Sequence, residues 1–205
     1  MLRFSRNEAL QMQKLSLGDT STLYIEENVG QPRWSNPRAI DLAFTLLPPS
    51  VADALKAMCV FLNWELNAKK FYDGEPESDR HVDAVFGLIG QRTGMPTRED
   101  KLVTTPMRAE LTPGHIVSRD NGALTLECME YNKADLPESF GGTSGGGLWR
   151  TYIRTSADGS YQEVQTRLCG LASFQQDPTH IVCQGFERIE LALVPAIRKQ
   201  FDQTS

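Results

Sequence analysis

The heptapeptide GGTSGGG, residues 141–147, sets one hydroxyl, Ser144, among five of the sixteen glycines of the chain. A serine flanked in this way has three chemical uses: spacing two domains, cradling a phosphate, or attacking an electrophile. A spacer would be polar over many residues, whereas Phe140 precedes this run and LWRTYI follows it. A phosphate loop ends in lysine and opens a helix whose N-terminus faces the anion; this run contains no lysine and leads into β-branched and aromatic residues. Nucleophilic attack is the use that survives.

Two scaffolds can present such a nucleophile. GTSGG fits the loose G-x-S-x-G pattern of the strand-to-helix elbow of α/β-hydrolases, with Asp158 or Asp177 and His180 following as acid and base. An elbow must open a helix, however, and GLWRTYIRTSADGSYQEVQ reads as a β-hairpin. The other scaffold is a tight turn between strands whose backbone amides face the oxygen of a substrate carbonyl. Glycine then serves at 142, where the amide must approach an oxyanion unhindered, and at 145 and 146, where the turn asks for backbone angles costly to other residues.

The elements that must position this turn are mostly strands. NEALQMQKL reads as a helical turn or two, TSTLYIEE as a strand, and AIDLAFTLL (39–47) as a compact apolar strand carrying Asp41. PPSVADALKAM suggests a short helix capped by Ser50, with Asp53 three residues on. The charged, turn-rich FYDGEPESDRH (71–81) marks a lobe boundary, and strand signals dominate after it. ALTLECM alternates, with Leu124, Leu126 and Cys128 on one face and Thr125 and Glu127 on the other. SADGS supplies an Asp-Gly hairpin turn. IELALVPAIRKQF places Ile189, Leu193, Ile197 and Phe201 on one face of a closing helix. Many short strands with one closing helix predict an all-β barrel or sandwich.

Composition narrows the partners. A net charge of -5 with no lysine or arginine cluster argues against nucleic acid. The chain shows neither a signal peptide nor a span of roughly 18 apolar residues, so a cytoplasmic location without membrane contact is expected. Cys59, Cys128, Cys169 and Cys183 form no CxxC pair and no zinc spacing, so they read as small buried residues, and neither metal nor cofactor is expected. A Cys169–Cys183 bridge is the alternative in an oxidising compartment.

Taken together, GGTSGGGLWRTYIRT, TRLCGLASFQ and HIVCQGFERIELALVPAI resemble the C-terminal barrel of the chymotrypsin-like serine proteases. In that family a G-x-S-G-G turn is followed by a hairpin, a strand ending in a serine and an aromatic, a further strand, and a closing helix. IDLAF resembles the family's strand bearing the catalytic aspartate. The resemblance implies a double β-barrel, with residues 1–75 an incomplete N-terminal barrel and 76–205 a complete C-terminal barrel and helix. It implies a serine endopeptidase with Ser144 as nucleophile, the amides of Gly142 and Ser144 as oxyanion hole, and Asp41 orienting the base. Ser173, Phe174 and Gln175 would offer an edge to the substrate backbone, with Gln175 narrowing the specificity pocket and Glu138 near its floor.

The triad order is where this chain departs from the family. The interval from Asp41 to Ser144 is close to the family's, but the histidine would fall before Met1. His115, in LTPGHIVS, and His81 are the alternative bases, and His180 reads as a turn residue. Without an imidazole the serine is not activated. A shortened and weakly active endopeptidase is therefore expected. Its alternative is a non-catalytic module that binds peptide or protein through the retained cleft, or recruits a partner chain at exposed strand edges.

Overall fold

A computed structural model of the chain describes residues 22–24, 40, 42–45, 52–53, 56, 61–90, 98–99, 102–103, 107–129, 140 and 143–204. The chain divides into two compact units, one of Met1–Tyr24 with Ala43–Gly74, the other of Ile25–Leu42 with Glu75–Ser205.

In the first unit β1 (Thr22–Tyr24) pairs antiparallel with β2 (Ala43–Thr45), Leu23 opposite Phe44. Ala52, Asp53 and Lys56 are helical, within the short helix expected there, while its cap Ser50 lies outside the described residues. Helix α1 (Trp64–Tyr72) begins at Asn63, whose side chain accepts from the Leu66 amide at 3.0 Å. Glu65 in its first turn and Lys69 and Lys70 in its last match the helix dipole.

The second unit is a closed antiparallel barrel of six strands: β3 (Arg80–Gly90), β6 (Met107–Asp120), β7 (Ala123–Cys128), β8 (Gly147–Thr155), β9 (Tyr161–Asp177) and β10 (His180–Gly185). A separate small ladder, β4 (Arg98–Glu99) with β5 (Leu102–Val103), lies between β3 and β6 in the sequence. Two three-stranded meanders, β3-β6-β7 and β8-β9-β10, close on each other where β3 pairs with β8 and β7 with β10. Asn121 and Gly122, at φ 47° and 76°, make the two-residue turn between β6 and β7, a conformation open to few residues but these.

Alternation fills the barrel. Val85, Leu126, Leu148 and Ile181 are at most 1 % exposed, each contributing about 1.5–3 kcal/mol by leaving water. Along β8 the inward positions are Leu148, Arg150 and Tyr152. The buried Arg150 guanidinium is answered by Asp83 on β3, Nε to Oδ1 at 2.7 Å and Nη2 to Oδ2 at 2.9 Å. Arg167, opposite Arg150 on β9, hydrogen-bonds the Tyr152 hydroxyl, which in turn donates to Glu75 at 3.1 Å.

The chain closes with helix α2 (Phe186–Arg188), a π turn (Ile189–Leu193) and helix α3 (Val194–Thr204). The Val194 amide donates to the Ile189 carbonyl. Pro195 has no amide to offer and its ring crowds the carbonyl four residues back, which the widened turn relieves. Ile189 and Leu193 are buried as expected and Ile197 is half-buried, but Phe201 is 54 % exposed. The apolar stripe therefore does not stay covered to the end of the helix. Among the described residues no helix is long and apolar enough to cross a membrane.

Candidate functional site

The glycine run forms the turn that enters β8. The Thr143 amide donates to the Phe140 carbonyl at 2.9 Å and the Gly146 amide to the Thr143 carbonyl at 2.8 Å. Two further bonds staple the turn to β9: Gly145 amide to Ala172 carbonyl at 2.7 Å, and Ala172 amide to Gly146 carbonyl at 2.8 Å. Gly145 adopts φ +82° with open space where a Cβ would stand, so its need is conformational. Gly146 lies outside the positive-φ region, contrary to expectation. Its need is steric, because a Cβ there would come within 2.4 Å of the Phe86 carbonyl oxygen. Thr143 packs against Gly87 in the same way, where a Cβ would meet Cγ2 at 2.7 Å.

This staple leaves Ser144 exposed at the tip. Its hydroxyl donates to the Ser173 carbonyl at 2.7 Å, and among the described residues nothing accepts from its amide. Gly142, the other expected oxyanion donor, lies outside the described residues, as do Asp41 and Glu138.

β9 runs on past Leu171, the last of its residues paired with β8, and Ser173, Phe174 and Gln175 follow beside the turn. Ser173 is buried, Phe174 and Gln175 half-buried. The Gln175 side chain accepts from the Phe140 amide at 3.0 Å and donates to the Asp177 carbonyl at 3.0 Å. It thereby spans from β9 to the start of the serine turn. Behind Ser173, the Gln184 amide donates to the serine hydroxyl at 3.5 Å and accepts from Arg188 at 2.8 Å. Phe140, Gln184 and Arg188 were not among the expected site residues. In HIVCQGFERIELAL nothing in the sequence alone sets Gln184 and Arg188 apart from the neighbouring polar residues His180, Glu187 and Glu190.

The three histidines of the sequence do not converge on the turn. The turn packs against Phe86 and Gly87 of β3, and Gly87 pairs with Glu110 of β6. His81 lies six residues from Gly87 and His115 five from Glu110, roughly 20 and 16 Å along the strands at the usual rise. Both imidazoles are exposed. His180 opens β10 opposite Asp177, four residues beyond Ser173, about 13 Å by the same rise. Its Nδ1 lies 2.9 Å from the Asp177 carboxylate. The Thr179 amide and then the His180 side chain lower the Asp177 carboxyl to about 2.

The elbow scaffold is absent, since Ser144 leads into strand β8 and the pairings of the barrel are antiparallel. Asp158, one of its candidate acids, accepts from the amide and hydroxyl of Ser160 inside the hairpin turn. Cys128, Cys169 and Cys183 are free and buried, so the Cys169–Cys183 bridge does not form. The register sets Cys183 opposite Ala172, three residues from Cys169. Burial pushes the thiols of Cys128 and Cys183 up to about 12 and that of Cys169 to about 11, which leaves them poor nucleophiles. Cys59 lies outside the described residues. Among the described residues no group of His, Cys, Asp or Glu is arranged to hold a metal ion.

No protein-family model, no curated protein and no solved structure matches the chain.

Proposed function

We propose that this chain is a serine endopeptidase of the chymotrypsin-like type, with Ser144 as nucleophile. The observation that carries the reading is Ser144 itself: an exposed serine on a glycine turn stapled to β9, with no described acceptor for its amide. The order of elements supports it too, for the turn precedes the β8–β9 hairpin, then β10, then the closing helix. A closed barrel alone would not carry this conclusion, because barrels host many functions.

In this reaction Ser144 Oγ bonds to the scissile carbonyl carbon while its proton passes to an imidazole. The oxyanion is held by the amides of Ser144 and Gly142. The amine leaves with the transferred proton, and water then hydrolyses the acyl ester. Asp41 orients the imidazole. The substrate backbone lies along Ser173–Gln175, and it must take the Ser173 carbonyl that Ser144 now occupies. The positions of His81, His115 and His180 well along the strands from the turn support a reading in which the imidazole is none of these three and turnover by the chain alone is low.

The experiment is hydrolysis of an activated peptidyl ester with and without added imidazole. Acceleration by imidazole in the wild type and its loss in Ser144→Ala is the expected result. A second reading, a peptide-binding module without turnover, is favoured by the Ser144 hydroxyl being spent on the Ser173 carbonyl. Saturable peptide binding with no imidazole effect would select it.

A further inference from the structure

Where β3, β8 and β9 adjoin, the barrel gathers several donors around one loosely held carboxylate. The register sets Asp83 opposite Arg150, Arg150 opposite Arg167 and Tyr152 opposite Gln165, so these side chains share one face. Arg150 is 7 % and Arg167 5 % exposed. Among the described residues the carboxylates that meet the two guanidiniums are Asp83 and Glu75, and the two differ in kind. Asp83 is buried and held two-pronged on Arg150. Glu75 precedes β3 and its side chain is 63 % exposed. Its one oxygen Oε1 takes the Tyr152 hydroxyl at 3.1 Å, Arg150 Nη1 at 3.4 Å and Arg167 Nη2 at 3.7 Å. Well-settled bonds between a guanidinium and a carboxylate close to about 2.7–2.9 Å, so Glu75 fills its place loosely.

The donors keep their pose without Glu75. Asp83 fixes Arg150, and Arg167 lies over the Tyr152 ring and donates to its oxygen, which leaves the phenol its proton to give. On the same face the side-chain nitrogen of Gln165 is buried with no hydrogen-bond partner among the described residues. The segment carrying Glu75 can yield without unthreading β3. Gly74 before it has φ +88° with open space where a Cβ would stand, while downstream the Asp79 amide donates to the Ile153 carbonyl and Arg154 to the Glu77 carbonyl, both at 3.0 Å.

We propose that this donor set binds a phosphate group, free or esterified, and that Glu75 is its displaceable internal stand-in. With Glu75 moved out, two guanidiniums face one carboxylate, and the excess positive charge calls for an anion. A phosphate has oxygens enough to meet Arg150, Arg167, Tyr152 and Gln165 together, where Glu75 meets three of them through one atom. The site shares no residue with the serine turn: Tyr152 lies five residues along β8 from Gly147, about 17 Å at the usual rise. It therefore stands or falls apart from the reading of Ser144.

The test is calorimetric titration of the full chain with inorganic phosphate and with phenyl phosphate, at constant ionic strength in chloride. Glu75→Gln binds phosphate about tenfold more tightly than the wild type, because no internal group competes. Glu77→Gln, the same change of charge at an exposed position of the same segment, leaves the affinity unchanged. Gln165→Leu added to Glu75→Gln weakens binding severalfold. Where Glu75→Gln is too unstable to titrate, phosphate raises its melting temperature more than that of Glu77→Gln. Binding of phenyl phosphate as tight as that of the inorganic ion supports an esterified ligand, and binding of the inorganic ion alone supports a free one. Equal affinity in Glu75→Gln and Glu77→Gln, an affinity indifferent to Gln165→Leu, or no phosphate binding in any variant overturns the proposal.

Discussion

Arg150 and Asp83 form a two-pronged ion pair inside the barrel, on the same two strands whose Phe86–Gly147 pairing anchors the serine turn. Asp83 is 2 % and Arg150 7 % exposed, and the Asp83 hydrogen bonds hold the guanidinium well above its ordinary range against the cost of burial. Among the described residues, Asp83→Asn leaves the buried cation only the exposed Glu75 carboxylate, 3.4 Å from its Nη1, which should cost about 3 kcal/mol. Urea unfolding of the single variant, and of a double variant with Arg150→Met, checks this. The double variant should recover much of the loss.

The two glycines after Ser144 should respond differently to alanine. Gly145→Ala pays for a left-handed backbone, about 1–2 kcal/mol, with no clash. Gly146→Ala must displace the Phe86 carbonyl and should cost more, loosening the turn from β3. Thermal melts of both variants, with crystal structures of the turn, would show the order.

Much of this barrel was legible because its faces alternate. Leu124, Leu126 and Cys128 are buried and Glu127 exposed, as the pattern of ALTLECM implied, and the hairpin turn at Ser156–Ser160 has Gly159 at φ +81°. GLWRTYIRT was less transparent. Its buried face carries Arg150, with Trp149 and Ile153 on the other, because the partner that makes an inward arginine tolerable is Asp83 of β3, distant in sequence. The exposed turn at Ser144 was legible from its glycines. Gln184 and Arg188 were not, since their meaning depends on the turn at Asn121 and on a bulged register between β9 and β10.

If the proposed endopeptidase reading holds, Gln175 should govern which side chain sits beside the scissile bond. Its side chain ties Phe140, at the start of the serine turn, to Asp177. Gln175→Gly should leave the barrel folded, at a cost of about 2–3 kcal/mol for the two lost hydrogen bonds. It should also raise labelling by phosphonate probes with bulky side chains relative to small ones. A panel of such probes gives the ratio.

Acid should weaken the turn between β9 and β10. Asp177 is lowered to about 2 by the Thr179 amide and then the His180 side chain, so its ionised form favours the folded state above the unfolded value of about 4. That contribution is lost as pH falls through about 2. Melting temperatures between about pH 4 and pH 2 should therefore fall more steeply in the wild type than in Asp177→Asn.

The nucleophilic character of Ser144 is tested most directly by mass spectrometry of the intact chain after incubation with a fluorophosphonate. One adduct is expected, mapped to Ser144, formed faster with added imidazole and absent from Ser144→Ala. An adduct that persists in Ser144→Ala, or no adduct at any imidazole concentration, would contradict the assignment of Ser144 as a nucleophile.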